Sequence, residues 1–125
     1  MAIAIITGAS AGLGEEFALR LRDYFPQVDK VWLIARRRER LEALAEKLNH
    51  IESVVLPLDL CSKESFAILA EKLAAEKPQV AVLINNAGCG YLGDVGQGDL
   101  SKQITMTDLN VTALTAVTHL TIPYM

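Results

Sequence analysis

Cysteine is scarce. Two residues in 125, Cys61 and Cys89, cannot build a disulfide framework, and they read as small fillers of core or loop. Basic charge is not in excess either: 12 Lys and Arg stand against 15 Asp and Glu, a formal net charge of −3. That balance argues against a nucleic-acid surface, which needs a basic excess on one face. No apolar stretch is long enough to cross a bilayer. The start "MAIAIITGAS" lacks basic residues and reaches glycine early, so no secretory leader is expected. A reducing, cytoplasmic setting is the expectation. His50 and His119 have no companions at metal-ligand spacing. Low-complexity linkers are also lacking.

What is present is regular order. The length suits one domain with a single core, residues 1–125. Half the residues (51%) are hydrophobic and 22% are charged, which reads as globular. Apolar, β-rich runs fall at Ala2–Thr7, Val31–Ala35, Ser53–Leu58 and Val80–Asn85. Helical periodicity lies between them. Leu13, Phe17 and Leu21 form one stripe, Leu41, Leu44, Ala45 and Leu48 a second, and Phe66, Leu69, Ala70 and Leu73 a third. Ser62 can cap the third helix and Pro78 end it. A last helical segment runs from about Ser101 or Thr105 onward. The strands are continuously apolar rather than alternating, as in a parallel sheet covered on both faces. Right-handed crossovers then give an α/β fold, a doubly wound half-sheet of parallel strands in the order 3-2-1-4.

The stretch "TGASAGLG", residues 7–14, follows the first apolar run. A helix starting after Gly12 points unpaired N–H groups back at the strand end, and with the helix dipole these make an anion site. Gly8 permits the tight turn, Gly12 removes a side chain where a pyrophosphate would touch backbone, and Gly14 lets the helix lie close to the sheet. Ser10 adds a hydroxyl donor. The spacing, G-x-x-x-G-x-G, differs from the G-x-G-x-x-G fingerprint.

"TGASAGLG" together with "NNAG", residues 85–88, resembles the short-chain dehydrogenase/reductase family. The resemblance runs through the whole chain and covers about the first half of that family's domain. It implies a Rossmann-type fold, truncated here, and hydride transfer between NAD(P)(H) and a small-molecule alcohol or carbonyl substrate. It places Gly8, Ser10, Gly12, Leu13 and Gly14 along the dinucleotide. Asp59 would accept from the adenine amino group, with Leu60 alongside, and Asn86, Ala87 and Gly88 would line the cofactor at the end of strand four. Asp59 can alternatively cap the third helix, and Asn85 and Asn86 can satisfy turn backbone. The second strand ends "ARRRER", with Arg36 where an acidic residue would receive the ribose hydroxyls. An arginine there suits a 2′-phosphate, so NADP is expected over NAD. Some members of the family also carry a base just before the second glycine; here that position is Ala11. Arg38 and Arg40 read as the solvated start of a helix.

The family's chemistry needs Tyr-x-x-x-Lys and a serine, the lysine lowering the tyrosine pKa. Tyr24 and Tyr91 are followed four residues on by Val28 and Val95, and Tyr124 is penultimate. The motif is absent from these residues. Asn110, in "TDLNVTALT", matches the family's helix asparagine and its resemblance implies a helix irregularity and a proton relay to the lysine. The chain alone is therefore expected to be inactive, with a non-catalytic nucleotide-binding or self-associating module, or a remnant without a role, as the alternatives. Strand four is expected as an unpaired edge, and the last helix is expected to expose Leu109, Leu114, Val117 and Leu120. Both features suggest a homodimer.

Overall fold

The computed structural model describes residues 2–125. Four parallel strands, β1 (Ala2–Thr7), β2 (Val28–Ala35), β3 (Glu52–Pro57) and β4 (Gln79–Ile84), form one sheet in the order β3-β2-β1-β4. Helices α1 (Gly12–Tyr24), α2 (Arg38–Lys47) and α3 (Lys63–Glu76) make the crossovers. After β4 come α4 (Leu100–Thr107), one π-helical stretch (Asp108–Ala113), α5 (Leu114–Thr121) and a 3-10 turn (Ile122–Tyr124). The expected class and strand order are those observed.

The sheet divides the interior into two cores, as continuously apolar strands require. Ala4, Ile6, Val31 and Leu33 face α1 and α2, while Ile3, Ile5, Trp32 and Ile34 face α3 and α5. β2 begins earlier than its apolar pattern indicates. Asp29 and Lys30 interrupt that pattern, but Val28 is buried and Lys30 pairs with Glu52 of β3 at 3.2 Å. The tertiary ladder thus extends a strand through charged residues. Ser62 sits at the start of α3 without a side-chain cap bond, and α3 closes on Lys77 in the left-handed region (φ 45°) just before Pro78.

Two expected faces are corrected. In α1 the sheet receives Gly14, Ala18 and Leu21, whereas Leu13 and Phe17 are 70% and 42% exposed. Leu21 keeps its expected place, whereas Leu13 and Phe17 turn outward because the first turns of the helix approach the sheet through the small residues Gly14 and Ala18. In α5 the expected uncovered patch does not form: Val117 is buried with Ala113 against Ile3, Leu69 and Leu73, while Leu114 remains 44% exposed. β4, by contrast, pairs only with β1 among the described residues and stands at the sheet edge.

Candidate functional site

All four strands point their C-terminal ends at one hollow of about 340 Å³. It lies where the chain reverses its direction of winding between β1 and β4, the place where open α/β sheets bind ligands. Its volume falls in the ordinary range of small-molecule sites. Each strand contributes a loop: Gly8, Ser10 and Ala11 after β1, Arg36 after β2, Asp59 and Leu60 after β3, and Asn86, Ala87 and Gly88 after β4.

The first loop is shaped by glycine at two positions. Gly8 has φ +65°, and a side chain on it would meet Asn86 and the Ala87 backbone at 2.8–2.9 Å. Gly14 is buried, and a methyl group there would collide with the Gly8 carbonyl. Gly12, with φ +58°, faces the opposite condition: a Cβ there would have nothing within 4 Å. The helix N-cap is Ala11, which has no side-chain oxygen to give the first turn. Leading N–H groups of α1 therefore have no side-chain cap beside a space left clear, which is the physical form of an anion cradle.

The fourth loop is tied to the first by hydrogen bonds. Buried Thr7 accepts at Oγ1 from the backbone N–H of Asn86 (3.0 Å) and of Ala87 (2.9 Å). Asn86 Nδ2 donates to the Gly8 carbonyl at 3.1 Å. Asn85 Nδ2 donates to Thr118 Oγ1 at 2.9 Å, joining the same loop to α5. Both asparagines thus serve neighbouring structure. Asn110 lies in the π-helical stretch, a feature frequent at functional sites. Its Oδ1 accepts from Cys89 N–H at 2.9 Å and its Nδ2 donates to the Cys89 carbonyl at 2.6 Å. The irregular helix aims this side chain at the loop and holds it by both backbone groups.

Asp59 is used at both ends. Its Oδ1 accepts from Cys61 N–H at 2.9 Å, and its carbonyl accepts from Ser65 Oγ at 2.6 Å. The carboxylate thereby braces the turn rather than capping α3 directly, and its second oxygen is not engaged in any bond among the described residues. Burial pushes the neighbouring Cys61 thiol above its usual pKa, reinforced by the charges of Asp59 and Asp108.

The structure brings together Gly8, Ser10, Arg36, Asp59, Leu60, Asn86, Ala87 and Gly88 on the wall of the hollow. Gly12, Leu13, Gly14 and Asn110 are not on that wall; Gly14 and Asn110 set its shape from behind. Sequence reasoning missed Cys61, Cys89, Tyr91 and Thr105, which also line it. It also missed Arg40. A second hollow, about 280 Å³, is lined by Ser10, Ala11, Glu15, Arg40 and Lys47. Glu15 is paired with Lys47 at 3.2 Å, and Arg38 with Glu42 at 3.7 Å, whereas Arg36 and Arg40 have no carboxylate partner among the described residues. The sequence signal for Arg40 was the run of arginines that opens α2, but which side of α2 meets Ser10 is a tertiary matter.

A parallel sheet in this order, with a hollow at its switch point, defines a doubly wound α/β domain of Rossmann type. The sequence profile of short chain dehydrogenases matches residues 2–125, and the chain belongs to that family. It is 36% identical over 95% of its length to an NADP-dependent 3-hydroxy acid dehydrogenase of Schizosaccharomyces pombe, covering 47% of that protein. It is 34% identical over 97% of its length to sulfoacetaldehyde reductase 2 of Chromohalobacter salexigens, covering 48%. A metagenomic short-chain oxidoreductase crystallised with NADP superposes on 99% of the chain at a TM-score of 0.87, with 28% identity, and 56% of that structure is covered. The chain spans about half the length of the curated relatives it matches.

The residues present fit a dinucleotide: the cradle at Gly12 is clear, the amide end of α1 is uncapped, and a guanidinium stands at the end of β2. Among the described residues no group of His, Cys, Asp and Glu is arranged to hold a metal ion, and no helix is long and apolar enough to cross a membrane.

Proposed function

We propose that these residues are the cofactor-holding half of an NADP(H)-dependent oxidoreductase acting on an alcohol or carbonyl carbon. The observation that carries the reading is Arg36: an unpaired cation on the wall of the hollow, where preference for the 2′-hydroxyl form would call for a carboxylate. The relative named as NADP-dependent and the neighbour crystallised with NADP support it. Amide groups at the start of α1, with Gly12 and Ser10, would hold the pyrophosphate. Asp59 and Leu60 would flank the adenine, Asn86 to Gly88 would line the middle of the cofactor, and Arg36 would pair with the 2′-phosphate. Arg40 stands beyond Ser10 and Ala11, and its charge compensates for the missing base at position 11. When bound, the nicotinamide supplies or accepts the hydride. Asn110 positions the fourth loop through Cys89. Two free thiols accord with a reducing, cytoplasmic setting.

No Tyr-x-x-x-Lys occurs in these residues, so the chain alone is expected to bind cofactor without turning over a carbonyl substrate. The edge position of β4, with Val82, Leu83 and Ile84 half-buried, favours self-association as a homodimer through that edge. A sedimentation profile of a single monomer at high concentration would remove that part.

The cofactor reading is tested by titrating NADPH and NADH while following nicotinamide fluorescence. NADPH is expected to bind more tightly. Charge-assisted hydrogen bonds contribute about 1.5–3 kcal/mol, so Arg36→Ala should reduce the NADPH preference by roughly ten- to a hundredfold. An unchanged ratio of affinities would overturn the assignment of Arg36.

A further inference from the structure

Arg40, Ala43, Leu44 and Lys47 recur at three- and four-residue steps along α2 and so share one face. That face closes the second hollow, whose other wall is Ser10, Ala11 and Glu15 at the start of α1. Ser10 and Ala11 also line the first hollow, so the two spaces meet across the glycine loop. Arg40 and Lys47 bring two cations to the second hollow, and Glu15 is the only acidic residue on its lining. Lys47 Nζ pairs with Glu15 Oε1 at 3.2 Å. Arg40 has no carboxylate partner among the described residues.

Glu15 stands in the first turn of α1, the turn whose amides form the anion cradle. The helix dipole stabilises a carboxylate there, and for the same reason that carboxylate competes with a phosphate for the positive end. A phosphate monoester carries a charge of about −1.5 to −2 at pH 7, so it is repelled more than a hydroxyl in its place. The Glu15–Lys47 bridge joins α1 to α2 across 32 residues of chain. Its side chains are 30% and 61% exposed, and pairs this open to water contribute little to stability. The larger consequence of the bridge is for the charge that the hollow presents.

We infer that Lys47 is a positioning residue for cofactor choice, acting through Glu15. By pairing with that carboxylate it cancels the one negative charge on the lining and leaves the charge of Arg40 uncancelled toward the 2′-phosphate of NADP(H). With the bridge formed, the lining carries one net positive charge; without Lys47 it carries none. The pyrophosphate is common to NADPH and NADH, so the ratio of their affinities isolates the effect on the 2′-phosphate. The inference rests on the dinucleotide reading of the adjoining hollow.

The test titrates NADPH and NADH against the 125-residue chain, Arg36→Ala, Lys47→Met, Glu15→Gln, and Lys47→Met combined with Glu15→Gln. Lys47→Met keeps the stem and removes the charge, and it should lower the NADPH-to-NADH affinity ratio about three- to tenfold. Adding Glu15→Gln to that chain should restore the ratio, although the bridge is absent from both. Glu15→Gln alone should raise it. Salt at about 0.5 M shortens the screening length to a few ångströms and should bring the ratios of parent and Lys47→Met together. A combined variant that stays as low as Lys47→Met traces the loss to structure and overturns the inference. So does a Lys47→Met loss that salt leaves intact, or a Lys47→Met ratio equal to the parent's while Arg36→Ala lowers it. A parent chain that binds neither cofactor overturns the dinucleotide reading, and this inference with it.

Discussion

Gly14→Ala is expected to lower the melting temperature by roughly 10–20 °C, corresponding to about 3 kcal/mol. Two effects of opposite sign meet at this residue. Glycine within a helix is less favourable than alanine by about 1 kcal/mol, so propensity alone predicts stabilisation. But Gly14 is buried at the closest approach of α1 to β1, and an added methyl group would strike the Gly8 carbonyl, which is backbone. Relief requires α1 to lift from the sheet, drawing Ala18 and Leu21 out of their contacts. The overlap therefore outweighs the propensity gain. Gly90→Ala, where nothing lies within 4 Å, provides the control and should leave the melting temperature unchanged. Thermal unfolding followed by circular dichroism decides the matter; a Gly14→Ala chain as stable as its parent would mean that α1 does not sit this close.

Thr7→Val should destabilise the chain by about 2–4 kcal/mol and loosen the fourth loop. Valine keeps the shape but removes an oxygen that receives two backbone donors, Asn86 N–H and Ala87 N–H. Leaving a buried donor unsatisfied costs about 1–3 kcal/mol. Thr7 is only 2% exposed, so water does not readily replace the lost acceptor. Asn86 and Ala87 also line the hollow, so NADPH affinity should fall with stability. Thr7→Ser keeps the acceptor and should recover most of both losses. Urea denaturation of the three proteins measures the first effect and fluorescence titration the second. If valine and serine behaved alike, the hydroxyl would have no share in holding the loop.

Much of the architecture was legible because its signals are local. The bounds of β1, the apolar stripes of α2 and α3, and the helix start at Gly12 follow from burial pattern, side-chain period and turn chemistry acting over a few residues. Strand order followed as well, because parallel strands joined by right-handed crossovers leave few arrangements. The faces of α1 and α5 were not legible in the same way. In α1 periodicity selects the bulkiest stripe as the buried face, yet the helix meets the sheet through Gly14 and Ala18 as well as Leu21; in α5 the expectation of an uncovered face fails because Val117 and Thr121 are buried. Close packing ranks residues by the space available, which is a property of two elements together.

The candidate site divides along the same line. Composition and spacing alone determined that a glycine-lined turn, an arginine at the end of β2 and an Asn-Asn-Ala-Gly loop occur in one βα framework. Tertiary structure alone decided that Thr7 receives the amides of that loop, that Asn110 reaches Cys89 from an irregular helix, and that Arg40 comes beside Ser10. Those pairs lie far apart in the chain, Thr7 and Ala87 by 80 residues. Local propensity cannot encode a hydrogen bond across such a separation; it exists only once the sheet has brought the strand ends together.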